Sequence, residues 1–423
     1  MKIVSLVKIG NESEIIESFV RYNFNFIDSM IIVSSCCIDN TLVILRNLID
    51  EGFDIRLRIE KDIAFDERYL DNKYMKEIVD SDEFDLILPL DSDEFIAGNG
   101  NPRNLLEQLP LDVVSIVKWK NYAMTENDNS GEPFIPRRLT KIKKNYSGNN
   151  ITKVIVPVGL ARRTDIIMTA GRHAVVGNGV KNRIENNLWI AHYPVISLEQ
   201  YKSMIYQESI KSIIRYNIGN SESFHKHNQR IGLERGNDIF EVANGYGLDK
   251  DGGYELCEEP LNMLYCTPET PIMKYVGLAK SDALIEIWRT GQLMAIKSYI
   301  YEMERQFDSK LPSILIYGAG NSAETIFNGI DDGIVNIWGY IDGDPVKELR
   351  IFNRRLIIPP AYVRFFRADK IVISSDKYYG EMYSTLVENG VEVSLISGAG
   401  YLLDLMLKKR ALKGAPVSEG LEK

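Results

Sequence analysis

Residues 83–96 read EFDLILPLDSDEFI, a strand-like run that ends in a knot of carboxylates. DLILPL is apolar but for its first residue, as suits a strand covered on both faces. Asp91, Asp93 and Glu94 then arrive within four positions. Upstream, KIVSLV, SMIIVSS and FDIRLRI are further β-rich runs, and ESEIIESFVRYNFNF, TLVILRNLIDEG and ERYLDNKYMKEIVDS between them have helical spacing. Gly52 closes the second of these helices. Strands separated by helices predict an α/β fold, with a mainly parallel sheet covered on both faces. Ligands bind such sheets at the carboxyl ends of the strands, where Asp91 and Asp93 stand.

A chain of 423 residues is too long for one ordinary core, and 45% hydrophobic with 26% charged residues is a globular composition. A net charge of −9 speaks against a nucleic-acid partner, which calls for a basic surface field. No run approaches the ~20 apolar residues of a membrane span, and MKIVSLVKIG lacks the apolar core and cleavage site of a signal peptide. A cytoplasmic protein is therefore expected. Cys36 and Cys37 are adjacent and poorly placed to pair, and Cys257 and Cys266 have no His or Cys at zinc spacing. All four are expected to be reduced and structural.

Residues 1–196 carry the first strand–helix alternation. From 197 to 310 the period changes: SLEQYKSMIYQESIKSIIRYN and SDALIEIWRTGQLMAIKSYIYEMERQF are long helical segments around a stretch rich in Gly, Asn and charge, a helical extension and connector. From 311 to 405 the alternation returns in LPSILIYGAGNSAETIFNGI, IWGYID, DKIVISS and VEVSLISG, a second, smaller α/β domain. Residues 406–423 read as a tail.

A strand ending in Asp-x-Asp brings two carboxylates within reach of one hard cation, Mn2+ or Mg2+, which keeps positions open for phosphate oxygens. A solvated acidic turn is the bland counterpart. The ordered set KIGNESEIIESFVRYN, VSSCCIDNT, LDSDEFI, GRHAVV and AHYPVISLEQYK resembles the family 2 glycosyltransferases of GT-A fold over about residues 1–205. Within them it is similar to the subgroup with a DxDEF motif and a later His-Tyr followed by Ser and Lys. The resemblance implies that Asp91 and Asp93 bind metal and donor, and that Glu94 and Phe95 complete the signature. It places Asn11 and Glu12 beside the nucleotide and Asp39 and Thr41 at the start of the second helix. His192, followed by Tyr193, matches the His-Tyr motif and is a competent metal ligand; Ser197 and Lys202 match its Ser and Lys, with Lys202 on the diphosphate. His173 is a weaker acceptor or phosphate candidate. Ser34 and Ser35 stand where many members carry an acid that contacts the base, which leaves the nucleotide open.

The implied reaction moves a sugar, with inversion, from a nucleotide-sugar donor to a glycan or lipid-linked acceptor in surface polysaccharide assembly. A carboxylate takes the acceptor's proton while metal and base stabilise the leaving group. Glu126, Asp128 and Asp165 lie in the segment where that carboxylate could fall, and Asp165 is preferred. The run RRLTKIKK, with Arg137, Arg138, Lys141, Lys143 and Lys144, reads first as a solvated flexible loop. Its sharper reading is a rim for an anionic acceptor at a membrane surface, a peripheral contact. Self-association into a homo-oligomer stays open.

In the C-terminal domain YGAGNSAE sets Gly318, Gly320 and Ala323 between a strand and a helix, and Asp342 ends the next strand. This is the arrangement of a dinucleotide fingerprint, with a phosphate at the helix start and a carboxylate for a ribose hydroxyl. The domain resembles the small Rossmann-like modules of some sugar acyltransferases and sugar methyltransferases, including the turn from Ile341 to Pro345. A nucleotide there and a purely structural turn are both open. Two rivals follow: an NAD(P)-dependent oxidoreductase or epimerase centred on Gly318, Gly320 and Asp342, and a non-catalytic sugar-nucleotide scaffold.

Overall fold

The structure is a computed structural model that describes residues 1–35, 37–60, 67–144, 150–216, 230, 232–233, 236, 238–241, 255–269, 271–307, 310–329, 334–344, 347 and 350–412. Cys36 and Pro345, both singled out above, lie outside the described residues. The chain forms two compact units, 1–211 with 232–285, and 212–231 with 286–423.

The first unit is built on strands β1 (Ile3–Ile9), β2 (Ser29–Ser35), β3 (Ile55–Glu60), β4 (Leu86–Asp91), β5 (Glu94–Gly98), β6 (Val114–Ala123), β7 (Lys141–Lys144), β8 (Thr152–Pro157), β9 (Ile167–Met168), β10 (Val175–Val176), β11 (Asn182–His192) and β12 (Glu255–Glu258). Its helices are α1 (Ile16–Asn23), α2 (Thr41–Asp50), α3 (Glu67–Ser81), α4 (Pro102–Glu107), α5 (Ile135–Arg138) and α6 (Val158–Ala161), and α7 (Leu198–Tyr216) leads out of it. The large sheet runs β12-β7-β6-β8-β4-β1-β2-β3, with β11 beside β6 and β5 beside β11. Strands β3, β2, β1 and β4 are parallel, and β8 is antiparallel to β4 and β6.

Both faces of β1, β2 and β4 are buried, whereas the edge strand β3 is mostly half-exposed, and the period of two sorts the side chains. Ile3, Val7 and Ile9 pack in one core with Phe19 and Val20 of α1 and Leu45 and Leu48 of α2. Val4 and Leu6 pack in the other with Leu70, Met75 and Ile78 of α3. That division is the helix–sheet–helix layering expected of near-continuous apolar strands.

The run RRLTKIKK differs from the solvated loop expected of it. Arg137 and Arg138 close α5, and Lys141–Lys144 is β7, held between β6 and β12. Lys143 is fully buried, and burial pushes its ammonium down to about 8. β12 comes from the segment read as a connector, so part of that segment completes the first unit.

The second unit holds β13 (Ser313–Tyr317), β14 (Asn336–Ile341), β15 (Ile351–Phe352), β16 (Arg355–Ile358), β17 (Lys370–Ile373) and β18 (Ile396–Gly398), ordered β15-β16-β14-β13-β17-β18. All pairs are parallel except β15 with β16. VEVSLISG, expected as one strand, is a short 3-10 turn at Val393–Leu395 followed by β18. Among the described residues no helix is long and apolar enough to cross a membrane. Cys37, Cys257 and Cys266 are free thiols.

Candidate active site

The DSDEF stretch is a hairpin-like corner: Asp91 ends β4, Ser92 and Asp93 make the turn, and Glu94 opens β5. Glu94 fixes the corner by accepting from the Asp91 amide at 2.8 Å through Oε2. Phe95 anchors it from behind, ring centroids 5.1 Å from Tyr193 and 5.5 Å from Tyr22. Asn23 of α1 then bonds both ways to the corner strand, donating to Glu94 O at 3.1 Å and accepting from Ile96 N at 2.9 Å.

Beneath the corner lies a charge cluster that sequence reading did not assemble. Lys153 of β8, 1% exposed, donates to Asp91 Oδ2 at 2.5 Å and stands 3.2 Å from Glu94 Oε1. Arg172 is equally buried; it donates to Asp71 at 3.0 Å and to the carbonyls of Leu90 at 2.6 Å and Leu6 at 3.2 Å, and lies 3.4 Å from Asp91 Oδ1. Lys8 completes the set at 3.2 Å from Asp71. Three cations, Lys8, Lys153 and Arg172, thus meet three acids, Asp71, Asp91 and Glu94. Burial raises the Asp91 carboxyl, but Lys153 and Arg172 outweigh it and hold Asp91 below the usual carboxylate range. Burial holds Glu94 up, against the pull of Lys153.

In front of this layer stand three further acids, Glu12, Asp39 and Asp93. Burial first, then Asp93 and Asp39, push the Glu12 carboxyl up to about 8, and the Ser92 hydroxyl donates to it. Asp93 Oδ2 lies 3.3 Å from Nε2 of His192. The imidazole is clamped, stacked on Trp119 at 3.9 Å between centroids, with Nδ1 2.6 Å from Asn121 Oδ1. An amide oxygen only accepts, so Nδ1 carries the hydrogen and Nε2 is the nitrogen that faces Asp93.

The other expected residues divide. Asn11, at φ 48°, accepts from the amides of Ile38 at 2.8 Å and Asp39 at 3.2 Å and donates to Gln207 at 2.8 Å, tying the β1–α1 and β2–α2 turns to α7. Asp39 is engaged locally by Ser13 N at 3.1 Å and by Thr41 N and Oγ1 at 3.0 and 2.6 Å. Ser197 Oγ donates to Glu14 at 2.7 Å, and Lys202 pairs with Glu199 at 3.0 Å. Arg137 pairs with Glu132 at 2.7 Å, and Arg138 donates to Ile196 O at 2.8 Å. His173 is exposed, its Nδ1 2.7 Å from Thr152 O and its ring edge-on to Trp119 at 5.8 Å. Desolvation of the ring's covered side and the neighbouring Lys153 lower its pKa, against the Thr152 carbonyl.

Asp165 is not brought to the corner. It follows α6, which begins at the amino end of β4 where Val158 N bonds Asp85 O at 2.9 Å. Its carboxylate is engaged by Asn178 N at 2.6 Å and Arg163 at 2.9 Å, which together lower its pKa. An acid engaged by Arg163 and Asn178 in a loop that starts at the amino end of β4, opposite the corner, does not favour the preference above. Asp128 likewise closes its own turn, accepting from Thr125 N and Oγ1 at 2.5 and 2.9 Å.

Among the described residues, no three His, Cys, Asp or Glu side chains form a ready-made metal cage. Asp91 is engaged by Lys153 and Arg172. What the corner offers a cation is the Asp93–His192 pair beside the acids Glu12 and Asp39, a partial ligand set of the kind Mg2+ and Mn2+ complete with phosphate and water.

In the second unit the fingerprint turn is present but its acid is engaged. Asp342 accepts from Ala319 N at 3.0 Å and Asp344 N at 2.9 Å and pairs with Lys347 at 2.8 Å. Gly318 sits at φ +104°, and a Cβ there would meet Ser374 Oγ at 2.5 Å; at Gly320 a Cβ would meet nothing within 4 Å. The turn itself therefore requires only the first glycine. Gly318→Ala is expected to destabilise the second unit by about 1–3 kcal/mol, from the left-handed backbone and the clash together. Calorimetric melting of the full chain would check this, and an unchanged midpoint would contradict the turn geometry.

A family model described as C2185-like, N-terminal matches residues 311–396. No curated protein was found to match the chain. Among solved structures, TarS 1–349 of S. aureus is 16% identical, with 59% of this chain and 76% of that chain covered at a TM-score of 0.29. A nucleotidyl transferase from Methanothermobacter thermautotroptrophicus is 13% identical, covering 38% and 74% at 0.22. The inositol-1-phosphate CTP transferase from T. maritima is 11% identical, covering 48% and 94% at 0.26.

Proposed function

We propose that the first unit is a metal-dependent glycosyltransferase that takes its sugar from a nucleotide-diphosphate donor. The observation that carries this reading is the corner at the carboxyl end of β4, where Asp93 and His192 face each other at 3.3 Å in front of a layer of buried ion pairs. Its position is where open α/β sheets bind ligands. Asp93 and His192 would hold Mg2+ or Mn2+, which supplies neutralisation of the departing diphosphate. Asn121 orients the imidazole so that Nε2 points at the cation. Asp91 stays ionised because Lys153 and Arg172 hold it so, yet its side chain is 44% exposed, which suits it to accept from donor hydroxyls. The turns bound by Asn11 and Asp39 shape the nucleotide side.

The acceptor class, a glycan or lipid-linked glycan, the inverting course and a place in surface polysaccharide assembly extend the motif resemblance. The rival site in the second unit is less supported, because Asp342 is held by Lys347 and two backbone amides rather than presented to a ribose.

A thermal-shift panel of UDP, GDP, CDP, dTDP and NAD(P), each with and without Mn2+, tests the reading. A ligand at 100 times its dissociation constant adds about 2.7 kcal/mol to the native state. The expected result is a manganese-dependent rise with one nucleoside diphosphate. A metal-independent rise with NAD(P) alone would move the chemistry to the second unit.

A further inference from the structure

The sheet of the first unit carries a second concavity that the corner does not use. An open cleft of about 360 Å³ lies beyond the far end of β5, between β6, β11 and the segment 259–265. It falls within the size of small-ligand sites, about 300–1,000 Å³. Two partly exposed aromatic side chains, Trp189 and Tyr265, meet three polar ones, Asn99, Asn262 and Glu259, around it, and the buried Tyr122, stacked on Tyr193, backs it. No Lys, Arg or His is among the described residues that line it. Lys120, outside the lining, is paired with Glu259 Oε1 at 2.5 Å and lies 3.8 Å over the Trp189 ring.

We propose that this cleft binds neutral oligosaccharide, the part of the acceptor chain remote from the transfer corner; the word acceptor rests on the function proposed above. A pyranose ring has an apolar C–H face and a rim of hydroxyls. Aromatic faces match the first, and side-chain amides, which both donate and accept, match the second. A lining without an available cation disfavours a polyanion, whose desolvated charges would go unpaired. Distance separates cleft from corner. β5 runs from Glu94 to Gly98, and at about 3.3 Å per residue its far end stands ~13 Å from the corner. A single sugar reacting at the corner would not reach the cleft, whereas an extended chain would.

Two variants of the full chain test the site without touching the corner. Tyr265→Ala removes an aromatic wall. Gly100→Leu adds a side chain where a Cβ meets nothing within 4 Å, so it fills the cleft without straining the fold. The probes are maltohexaose, cellohexaose and chitohexaose, with hexagalacturonate as the anionic counterpart, followed by saturation-transfer NMR and calorimetry. At least one neutral hexasaccharide is expected to bind, and each variant to weaken it about tenfold or more. Manganese-dependent nucleoside-diphosphate binding in the same samples should not change. Binding of no neutral hexasaccharide, binding indifferent to both variants, or binding of hexagalacturonate alone would overturn the proposal. If the neutral sugar binds as expected and no nucleoside diphosphate does, the cleft stands and the transferase reading falls.

Discussion

Arg172→Met is expected to lower the stability of the first unit by about 3–5 kcal/mol, the usual result of removing one partner of a buried ion pair. Arg172 and Asp71 have side chains 1% and 0% exposed, so neither charge can turn to water. Methionine replaces much of the aliphatic stem but returns none of the donors. The Leu6 and Leu90 carbonyls lose a partner, and Asp71 keeps Lys8 at 3.2 Å. For a unit of this size about 2–4 °C per kcal/mol translates the loss into a fall of roughly 6–20 °C in the calorimetric midpoint. The double variant Asp71→Leu with Arg172→Met should lose less than the sum of the singles, because it leaves no uncompensated acid in the core. A fall below about 1 kcal/mol, ordinary for a surface change, would mean that water reaches the cluster.

That cluster also marks where sequence reading stops. The α/β class was legible because β1, β2 and β4 are mostly apolar runs, β3 alternates, and helical spacing fills the gaps between them, signals local in the sequence. The corner was legible for the same reason, since Asp91, Asp93 and Glu94 are local to the end of β4. Lys153, Arg172 and Asp71 were not. Lys153 meets Asp91 across 62 positions and Arg172 meets Asp71 across 101, and only the antiparallel placement of β8 and the return of the chain before β10 bring them together. One signal was there: a lone lysine in the apolar run TKVIVP, which a buried strand admits only with a partner. RRLTKIKK misled in the opposite sense. KIKK lacks strand alternation, and its pairing with β12 depends on residues more than a hundred positions away. Asp165 attracted attention by residue type and by its segment of the chain, neither of which reveals that Arg163 and Asn178 engage its carboxylate.

Asp93→Asn separates catalysis from architecture. The substitution keeps the shape of the side chain and removes its charge, and Asp93 stands on a turn with its side chain 20% exposed, so stability should move by no more than about 0.5 kcal/mol. Binding should respond differently. If Asp93 and His192 hold the cation between diphosphate and protein, the manganese-dependent affinity for the nucleoside diphosphate should fall on the order of 100-fold or more, since even a residue behind a metal ligand costs about 10–100-fold. Asn121→Ala supplies that milder case: it frees the imidazole that Asn121 Oδ1 holds at 2.6 Å without removing a ligand, and should fall between wild type and Asp93→Asn. Metal-independent nucleotide binding, if any, should be equal in all three proteins. The graded series is what a scaffold in which Asp93 merely closes a turn cannot produce. Isothermal titration with and without Mn2+ therefore decides between them, and unchanged metal-dependent affinity in Asp93→Asn would remove the cation from this corner.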